Sequence, residues 1–479
     1  MKFFFKCEAM SEWSIALNRF GLGRRAGESL GSDPRAWLAG QIARFDPQPR
    51  AIAAVPQTQA AFAGVTDTRA DARGMPAVEL DDEAMAAQRS DTGPRAAARR
   101  EGRRAYDLSV AARIDTAVAS DTPFAERLVH FWSNHFAVSA DKQVIIAALS
   151  GGFEFEAIRP HVMGRFADML KAVERHPAML LFLDQARSVG PNSPHLRGRA
   201  NSGQGLNENL GREILELHTL GVRGGYTQAD VLELSRALTG WTVAGAGGAP
   251  AQRAGAQARP GQFVFASDVH EPGERTVLGK AFADGDAGQA TAILDYLAGH
   301  PATARHIATK LARHFAGDTP PEPLVARLEK AFVDSQGDLP TVYRALIAAP
   351  EAWAPEPLKF KSPWEWTISS LRALGGRAAP ARATSAMLNQ MGQRVWAPGS
   401  PAGFDDLAAA WLGPDGLTRR VSIAERLAGS SASRTDPREL AEALFPDSLS
   451  PETGRAIAQA QDSLEGLALL LVSPEMLRR

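Results

Sequence analysis

The sequence predicts an all-α protein, a single large multi-helix domain with a small β-hairpin-like insertion. Helix start signals recur along the chain, in which a capping residue precedes a proline at the first helical position, as in Asp33-Pro34 and Ser362-Pro363. Apolar residues then follow at helical spacing. Residues 243–285 depart from this pattern, because an Ala/Gly-rich stretch leads there into two short apolar runs typical of strands.

The composition is that of a folded protein without a strong overall charge. Of the 479 residues, 44% are hydrophobic and 22% are charged, which is enough apolar material for a substantial core. The formal net charge of −1 argues against a nucleic-acid-binding role that depends on bulk charge. Cys7 is the single cysteine, so the sequence excludes an intrachain disulfide and a cysteine-based metal site.

The chain lacks the sequence signals of membrane insertion and of export. No apolar run approaches the roughly 18 residues of a membrane span. The first residues are apolar, but Lys6 and Glu8 interrupt them far short of the apolar region of a signal peptide. A cytoplasmic location is therefore expected.

Helical patterns cover most of the chain. They begin after Met10 and are expected at residues 11–20, 34–42, 122–136, 141–150, 163–175, 177–186, 207–220 and 227–240, and again from 287 onward.

Three stretches within the expected domain, residues 10–479, are predicted to be non-helical. Residues 46–78, rich in Ala, Gln, Pro and Thr, and residues 188–206, rich in Gly, Ser, Asn and Arg, are expected to be flexible loops. In the insertion, the strand candidates 262–265 and 275–278 are expected to form a hairpin with each other.

The helix expected at 207–220 carries a dense set of charged side chains. Asn207 is its expected N-cap and Gly221 its stop. At about 100° per residue, His218 falls on the packed side and five polar residues share the other side. This polar arc consists of Glu208, Asn209, Arg212, Glu213 and Glu216.

Two interpretations of the polar arc differ in the cost of removing Arg212. On a solvated face, Arg212 would pair with Glu208 and Glu216, and Arg212→Ala would cost at most about 1 kcal/mol. In a cleft, the same substitution would leave carboxylates unpaired at low dielectric and cost about 3–5 kcal/mol. Several carboxylates surround a single cation, which favours the cleft, and we expect the larger cost.

The helix that begins at Thr122-Pro123 carries two histidines on different sides. His135 shares the apolar side with Trp132, whereas His130 lies on the polar side. The two histidines diverge by about 140°, so this helix alone does not hold a metal through an i, i+4 pair. His135 is expected to be a hydrogen-bonded core histidine.

The motifs of several common active sites are absent from the sequence. It contains no Walker A loop, no GxSxG elbow, no HExxH and no nucleotide or flavin fingerprint. The dispersed polar groups are suited to acid–base work or to a divalent metal ion whose identity the sequence does not give. The predicted catalytic residues are Glu208, Arg212, Glu213 and His270. The predicted substrate contacts are Trp132, His130, Glu216, Trp241, Lys359 and Lys361, with the alternative that the two lysines snorkel around an apolar helix start.

A set of ordered motifs extends over nearly the whole chain. They lie at residues 130–136, 206–221, 225–241, 270–279, 300–304, 359–363 and 391–393. Together they resemble the bacterial family of domains of unknown function numbered eighteen hundred, over about residues 14 to 475. The resemblance implies a single large, mainly helical domain. The chain departs from many relatives in lacking an export signal, in having Gly211 in place of alanine, and in having residues 402–404 in place of a Gly-Trp pair.

Two functions follow as hypotheses. The first is a hydrolase-like or metal-assisted enzyme that acts on a polar, carbohydrate-like substrate in a cleft built on the helix at 207–220. The alternative is a non-catalytic helical scaffold or partner protein. The resemblance implies the partner, because the genes of relatives often neighbour those of a second family, numbered fifteen-oh-one, which is similar to sulfatases and alkaline phosphatases.

Overall fold

The computed structural model describes residues 10–25, 27–70, 93–197, 205–246, 248, 254–376, 379–433 and 435–479. Within these ranges the chain is mainly helical, and the prediction of an all-α fold is confirmed. The α-helices are Glu12–Ser14, Pro34–Arg44, Arg50–Ala53, Thr58–Ala70, Pro94–Ala119, Pro123–His135, Val144–Gly152, Phe166–Arg175, Pro177–Phe182, Asn209–Glu213, Gln228–Leu238, Asp286–Ala298, Pro301–Ala316, Glu322–Asp334, Leu339–Ala348, Pro363–Ala373, Ala381–Gln390, Pro414–Gly429, Pro437–Leu444, Pro451–Ala458, Ser463–Leu471 and Pro474–Leu477. The π-helices are Ile15–Phe20, Phe153–Ile158 and Ile214–His218. The 3₁₀ turns are Arg159–His161, Gln185–Arg187, Pro194–Leu196, Ser267–Val269, Pro350–Trp353 and Ala408–Ala410.

Capping chemistry explains many of the helix starts. Asp33 accepts hydrogen bonds from the backbone amides of residues 35 and 36, immediately before Pro34. Ser362 and Glu365 form a reciprocal capping box at the start of the Pro363–Ala373 helix. These local signals depend on residues close together in sequence, which is why the sequence predicts them well.

Most buried apolar side chains belong to two hydrophobic cores. The first core contains Phe124, Trp132 and Phe315, and the second contains Trp366 and Leu467. The Pro94–Ala119 helix contributes to both cores: its residues 98 and 105 pack in the first, and its residues 106, 110 and 114 pack in the second. This long helix therefore joins the two cores along its length.

The helix predicted at 207–220, the central helix from here on, starts with the predicted cap but changes its type partway along. Asn207 accepts a hydrogen bond from the backbone N–H of Asn209 at 2.8 Å, and the α-helix Asn209–Glu213 continues as the π-helix Ile214–His218. The hydroxyl of Thr219 donates to the carbonyl of Ile214, five residues earlier, at 2.6 Å. A π-helix spaces its backbone bonds at the same interval. It also leaves the carbonyl groups at its end for other donors.

The predicted hairpin between the two strand candidates is wrong, because each pairs with another strand. Phe263–Phe265 pairs antiparallel with Trp241–Val243, and Arg275–Val277 pairs antiparallel with Lys280–Phe282. A two-residue turn joins the second pair, with positive φ at Leu278 (50°) and Gly279 (73°), as a type I′ hairpin requires. The insertion thus consists of two small sheets. Residues 247 and 249–253 within it lie outside the described part of the chain.

The two predicted flexible loops are partly ordered. In the stretch 46–78, residues Arg50–Ala53 and Thr58–Ala70 are helical, and Phe62 and Val65 lie in the first core. The alanine-rich composition indicated a linker, but burial of these two side chains stabilises a helix instead. Residues 71–78 lie outside the described residues. The stretch 188–206 contains the turn Pro194–Leu196, and its residues 198–204 are likewise outside.

In the described ranges, no helix has both the length and the apolar character needed to cross a membrane.

Candidate functional site

A cleft of about 560 Å³, the basic cleft, opens where the two cores meet. Phe131 of the first core and Trp364 of the second both line it. Its walls come from the Pro123–His135 helix, the start of the Pro363–Ala373 helix and residues 393–407. The Pro301–Ala316 helix, called the basic helix, forms the remaining wall. Segments far apart in sequence therefore assemble this site.

The basic helix turns four nitrogen-bearing side chains toward the cleft. His306, Lys310, Arg313 and His314 follow one another at spacings of four, three and one residues, which places them within about 100° of arc on one face. His314 is bonded to the cleft wall, because its Nδ1 lies 3.1 Å from a carboxylate oxygen of Asp406. Burial lowers the pKa of His314 to about 4, so the ring is neutral at pH 7.

Lys310 and Arg313 differ from the other cations of the cleft. Arg113, Arg127 and Arg394 also line it, and each forms an ion pair with a carboxylate. Within the described residues, neither Lys310 nor Arg313 has an ion pair, and Nε of Arg313 is buried without a hydrogen-bond partner. Burial lowers the pKa of Lys310 to about 8, and Arg313 acts in the same direction against the raising effect of Asp406. As far as the structure describes the chain, the cleft therefore holds two cationic side chains that have no ion pair.

The end of the central helix positions two further histidines. The His306 Nε2–H donates to the carbonyl of Leu217 (3.1 Å), and the His135 Nε2–H donates to the carbonyl of His218 (3.2 Å). Both acceptors belong to the π-helix, whose final carbonyls lack helical partners. Each contact makes Nε2 the protonated nitrogen and leaves a lone pair on Nδ1. Gly221 provides room for the imidazole of His306, since a Cβ there would lie 2.8 Å from Nδ1.

The two histidines are uncharged at neutral pH but differ in accessibility. Burial, followed by the charge of Lys310, lowers the pKa of His306 to about 4 and that of His135 well below its usual value. His135 is buried, as the sequence predicts for a core histidine, and its Nδ1 has no partner in the described chain. His306 is only half-buried, so it is the better placed of the two to meet a ligand.

The wall formed by residues 393–407 is bonded to the Pro123–His135 helix through the side-chain amide of Asn134. Asn134 donates to the carbonyl of Phe404 and accepts from its backbone N–H, both at 2.8 Å. At the preceding residue, Gly403 has φ +83°, and a Cβ there would lie 2.3 Å from the carbonyl oxygen of Asn134. Glycine is required at 403 both by its φ and by this close approach.

The predicted arc on the central helix lies away from the basic cleft. Glu208, Arg212 and Trp241 line a second cleft of about 850 Å³. The side chains of Arg212 and Glu208 are 40% and 35% exposed and pair at 2.9 Å, and Arg212 also donates to Gln228 rather than to Glu216. Because this pair is exposed, the large cost predicted for Arg212→Ala is no longer expected, and about 1 kcal/mol becomes the upper bound.

The other predicted catalytic residues do not converge on one point. Glu213 is half-buried, and burial raises its pKa. Glu216 accepts a hydrogen bond from the hydroxyl of Tyr226 (3.1 Å). His270 is buried, with Nδ1 2.8 Å from the carbonyl of Thr239, and lines neither of the two clefts.

Of the predicted substrate contacts, only His130 lines the basic cleft. Its Nδ1 accepts from the indole N–H of Trp364 at 3.1 Å. Trp132 and Trp241 are buried in the first core. The indole N–H of Trp132 donates to the hydroxyl of Tyr343 at 2.7 Å.

The two predicted lysines lie inside the protein instead of snorkelling to its surface. Lys359 forms ion pairs with Asp318 (3.1 Å) and Asp406 (3.3 Å). Lys361 donates to the side-chain oxygen of Asn18 at 3.2 Å. Burial lowers the pKa of Lys361 to about 7, and neighbouring arginines including Arg127 add to this effect.

The sequence analysis assigns no role to the four side chains of the basic helix. Their spacing is visible in the sequence, but their missing carboxylate partners are not. The sequence also leaves open a site for a divalent metal ion. The described chain contains no group of three or more His, Cys, Asp or Glu side chains arranged to hold one.

Fold and site together define a class: a mainly helical protein in which segments far apart in sequence meet around a cleft rich in basic side chains. The chain belongs to the family described as "Protein of unknown function (DUF1800)", whose model matches residues 15–478. No curated protein and no solved structure matches it. Several motif segments of the family resemblance, including residues 130–136, 359–363 and 391–393, contribute residues to the basic cleft.

Proposed function

We propose that the protein is a hydrolase-like enzyme that performs acid–base chemistry on a polar substrate in the basic cleft. The observation that carries this proposal is the pairing of a neutral histidine, His306, with an unpaired cation, Lys310, one helical turn away. In this mechanism His306 accepts a proton from water through its Nδ1 lone pair. Lys310 stabilises the negative charge that develops on the substrate.

The electrostatic relation between the two groups supports this assignment. The charge of Lys310 contributes to the low pKa of His306, which makes the imidazole a weak base while the cleft is empty of anions. Negative charge that arrives on a substrate offsets Lys310 and raises the pKa of His306 toward neutrality. Proton transfer is most effective when the pKa of the base is close to the ambient pH.

The proposal replaces the catalytic assignment made from the sequence. Glu208 and Arg212 are partly exposed and bonded to each other, whereas Lys310 lacks an ion pair within the described residues. Preorganised, uncompensated charge stabilises a developing charge more effectively than charge that is already paired and solvated.

The test is hydrolysis of p-nitrophenyl phosphate, sulfate, acetate and glycosides by the purified protein. His306→Gln keeps an N–H donor for the Leu217 carbonyl but removes the base, and we expect kcat on the accepted class to fall by at least about 100-fold. His161→Gln, a half-buried histidine outside the cleft, is the matched control and should retain activity.

Two outcomes would overturn the proposal. If Glu208→Gln abolished hydrolysis while His306→Gln did not, the reaction would belong to the second cleft and the sequence-based assignment would be restored. If no ester or glycoside were turned over, the scaffold alternative would take precedence. Co-purification from the native source with a sulfatase- or alkaline-phosphatase-like protein would then test that alternative.

A further inference from the structure

We infer that the ligand of the basic cleft carries a doubly charged phosphate group, held between Lys310 and Arg313. This inference rests on the proposed function for the location of the site, and it names the class of substrate that the site accepts: a phosphate monoester of a polar organic molecule.

The first argument is the geometry of the two cations. Residues three apart on a helix are surface neighbours, with Cβ atoms about 5–6 Å apart. Both Lys310 and Arg313 line the cleft, so their charged ends can approach one ligand group from one side. An arginine fork contacts two phosphate oxygens, and a lysine ammonium binds a third as a point charge.

The second argument is the missing counter-charge. The other lining cations, Arg113, Arg127 and Arg394, already have carboxylates, and Asp406 is engaged by His314 and Lys359. Asp405 also lines the cleft, but it is exposed to solvent and accepts a hydrogen bond from the backbone N–H of Leu407 at 2.8 Å. Nε of Arg313 is buried without a partner in the described chain. A desolvated and unpaired cation destabilises the folded protein, and an anionic ligand removes that cost when it binds.

The third argument concerns charge number. Two uncompensated cations are neutralised by a dianion, and a phosphate monoester carries close to two negative charges at pH 7.5 because its second pKa is about 6. A carboxylate or a sulfate monoester carries one. His306, His314 and His135 are neutral at that pH, so they do not add to the two positive charges of Lys310 and Arg313.

The rest of the cleft suits the organic part of such a ligand. Phe131, Trp364 and Phe404 present aromatic surface in the same cleft. Aromatic side chains offer apolar contact with a ligand body, while a small number of charged groups fix its orientation. A site of this kind binds an organic phosphate more tightly than the free ion.

The experiment measures binding calorimetrically at pH 7.5 and constant ionic strength, with inorganic phosphate, methyl phosphate, methyl sulfate and acetate as probes. For the wild-type protein we expect saturable binding of both phosphates, and methyl phosphate at least ten-fold tighter than methyl sulfate or acetate. Lys310→Met and Arg313→Met should each weaken phosphate binding at least ten-fold.

Two exposed cations serve as matched controls. Lys330 and Arg327 lie on the Glu322–Asp334 helix, 75% and 49% exposed and paired with carboxylates. Lys330→Met and Arg327→Met should leave phosphate binding unchanged. A second readout guards against misfolding: Lys310→Met removes a charge without a partner at nearly constant volume, so the ligand-free variant should melt at the same temperature as wild type or higher.

Several results would overturn the inference. They are the absence of saturable phosphate binding to the wild type, equal affinity for methyl phosphate and methyl sulfate, unchanged binding in Lys310→Met, and a large drop in the melting temperature of ligand-free Lys310→Met. Failure of the proposed function is distinguishable, because binding is measured without turnover. A protein that binds phosphate through Lys310 but hydrolyses nothing would retain the site and lose only the enzymatic assignment.

Discussion

The basic helix and the central helix each carry several charged side chains on one face, but they place them in different surroundings. On the central helix, Arg212 has a carboxylate and an amide as partners and is 40% exposed. On the basic helix, Lys310 and Arg313 face a cleft without an ion pair in the described residues. Charge density along a helix therefore does not identify a site. What distinguishes one is whether each charge has a partner and how much water reaches it.

The largest expected effect tests the buried side of this comparison. Glu365 is paired with Arg127 and with Arg479, the latter at 2.8 Å, and it also accepts the capping bond from the backbone N–H of Ser362. Glu365→Ala leaves two buried guanidinium groups without their carboxylate, and we expect a loss of about 3–5 kcal/mol in unfolding free energy. Denaturant unfolding measures this loss.

Glu208→Ala on the central helix is the exposed counterpart, since Glu208 is also bonded to an arginine. Its expected cost is below about 1 kcal/mol, because the pair is solvated. Equal costs for the two variants would show that burial does not separate the two regions.

The second effect concerns the stability of the protein in acid, which depends on Glu126, a buried residue of the Pro123–His135 helix. Burial opposes ionisation of Glu126, but Arg159 at 2.7 Å, with a contribution from His130, outweighs it and lowers the pKa of Glu126 from 4.5 to about 2. The pKa of Glu126 is lower in the folded protein than in the unfolded chain, so ionised Glu126 stabilises the fold at pH values above its unfolded-state pKa. That stabilisation is lost as the pH falls through the folded-state pKa. Between about pH 5 and pH 2, wild type should lose about 3 kcal/mol more than Glu126→Gln.

Unfolding free energies of wild type and Glu126→Gln, measured across that range, check the pH prediction. Other carboxylates titrate in both proteins and cancel in the difference. Parallel curves for the two proteins would contradict the depressed pKa of Glu126.

The smallest expected effect belongs to Arg212. Arg212→Ala removes one exposed ion pair and a bond to Gln228, and we expect a loss of at most about 1 kcal/mol in unfolding free energy. A measured loss above about 3 kcal/mol would restore the interpretation of the central arc as a buried site.

Local chemistry accounts for what the sequence predicts correctly. The caps at Asp33 and Ser362 are made by residues within a few positions of each other, and the capping box of Thr227 and Asp230 is of the same local kind. The core position of His135 follows from the apolar residues around it. Interactions of this kind can be predicted from short stretches of sequence.

The sequence-based predictions are wrong where the structure depends on contacts between residues that are far apart in the chain. Strand Phe263–Phe265 pairs with residues 241–243, and no local pattern excluded the closer strand candidate. The change from α-helix to π-helix at Ile214 has no signal in the local sequence pattern. For the site, Lys310 has no ion pair within the described residues because the carboxylates of residues 365 and 406 are engaged elsewhere, which spacing along the chain does not reveal.

The contact between Asn134 and Phe404 joins residues that are 270 positions apart. Closing so long a loop costs chain entropy before any bond is gained. The first core has the same requirement, since the rings of Phe20 and Trp353 lie 5.0 Å apart within it. The cleft is therefore complete only when contacts between distant segments have formed both in the core beneath it and at its wall.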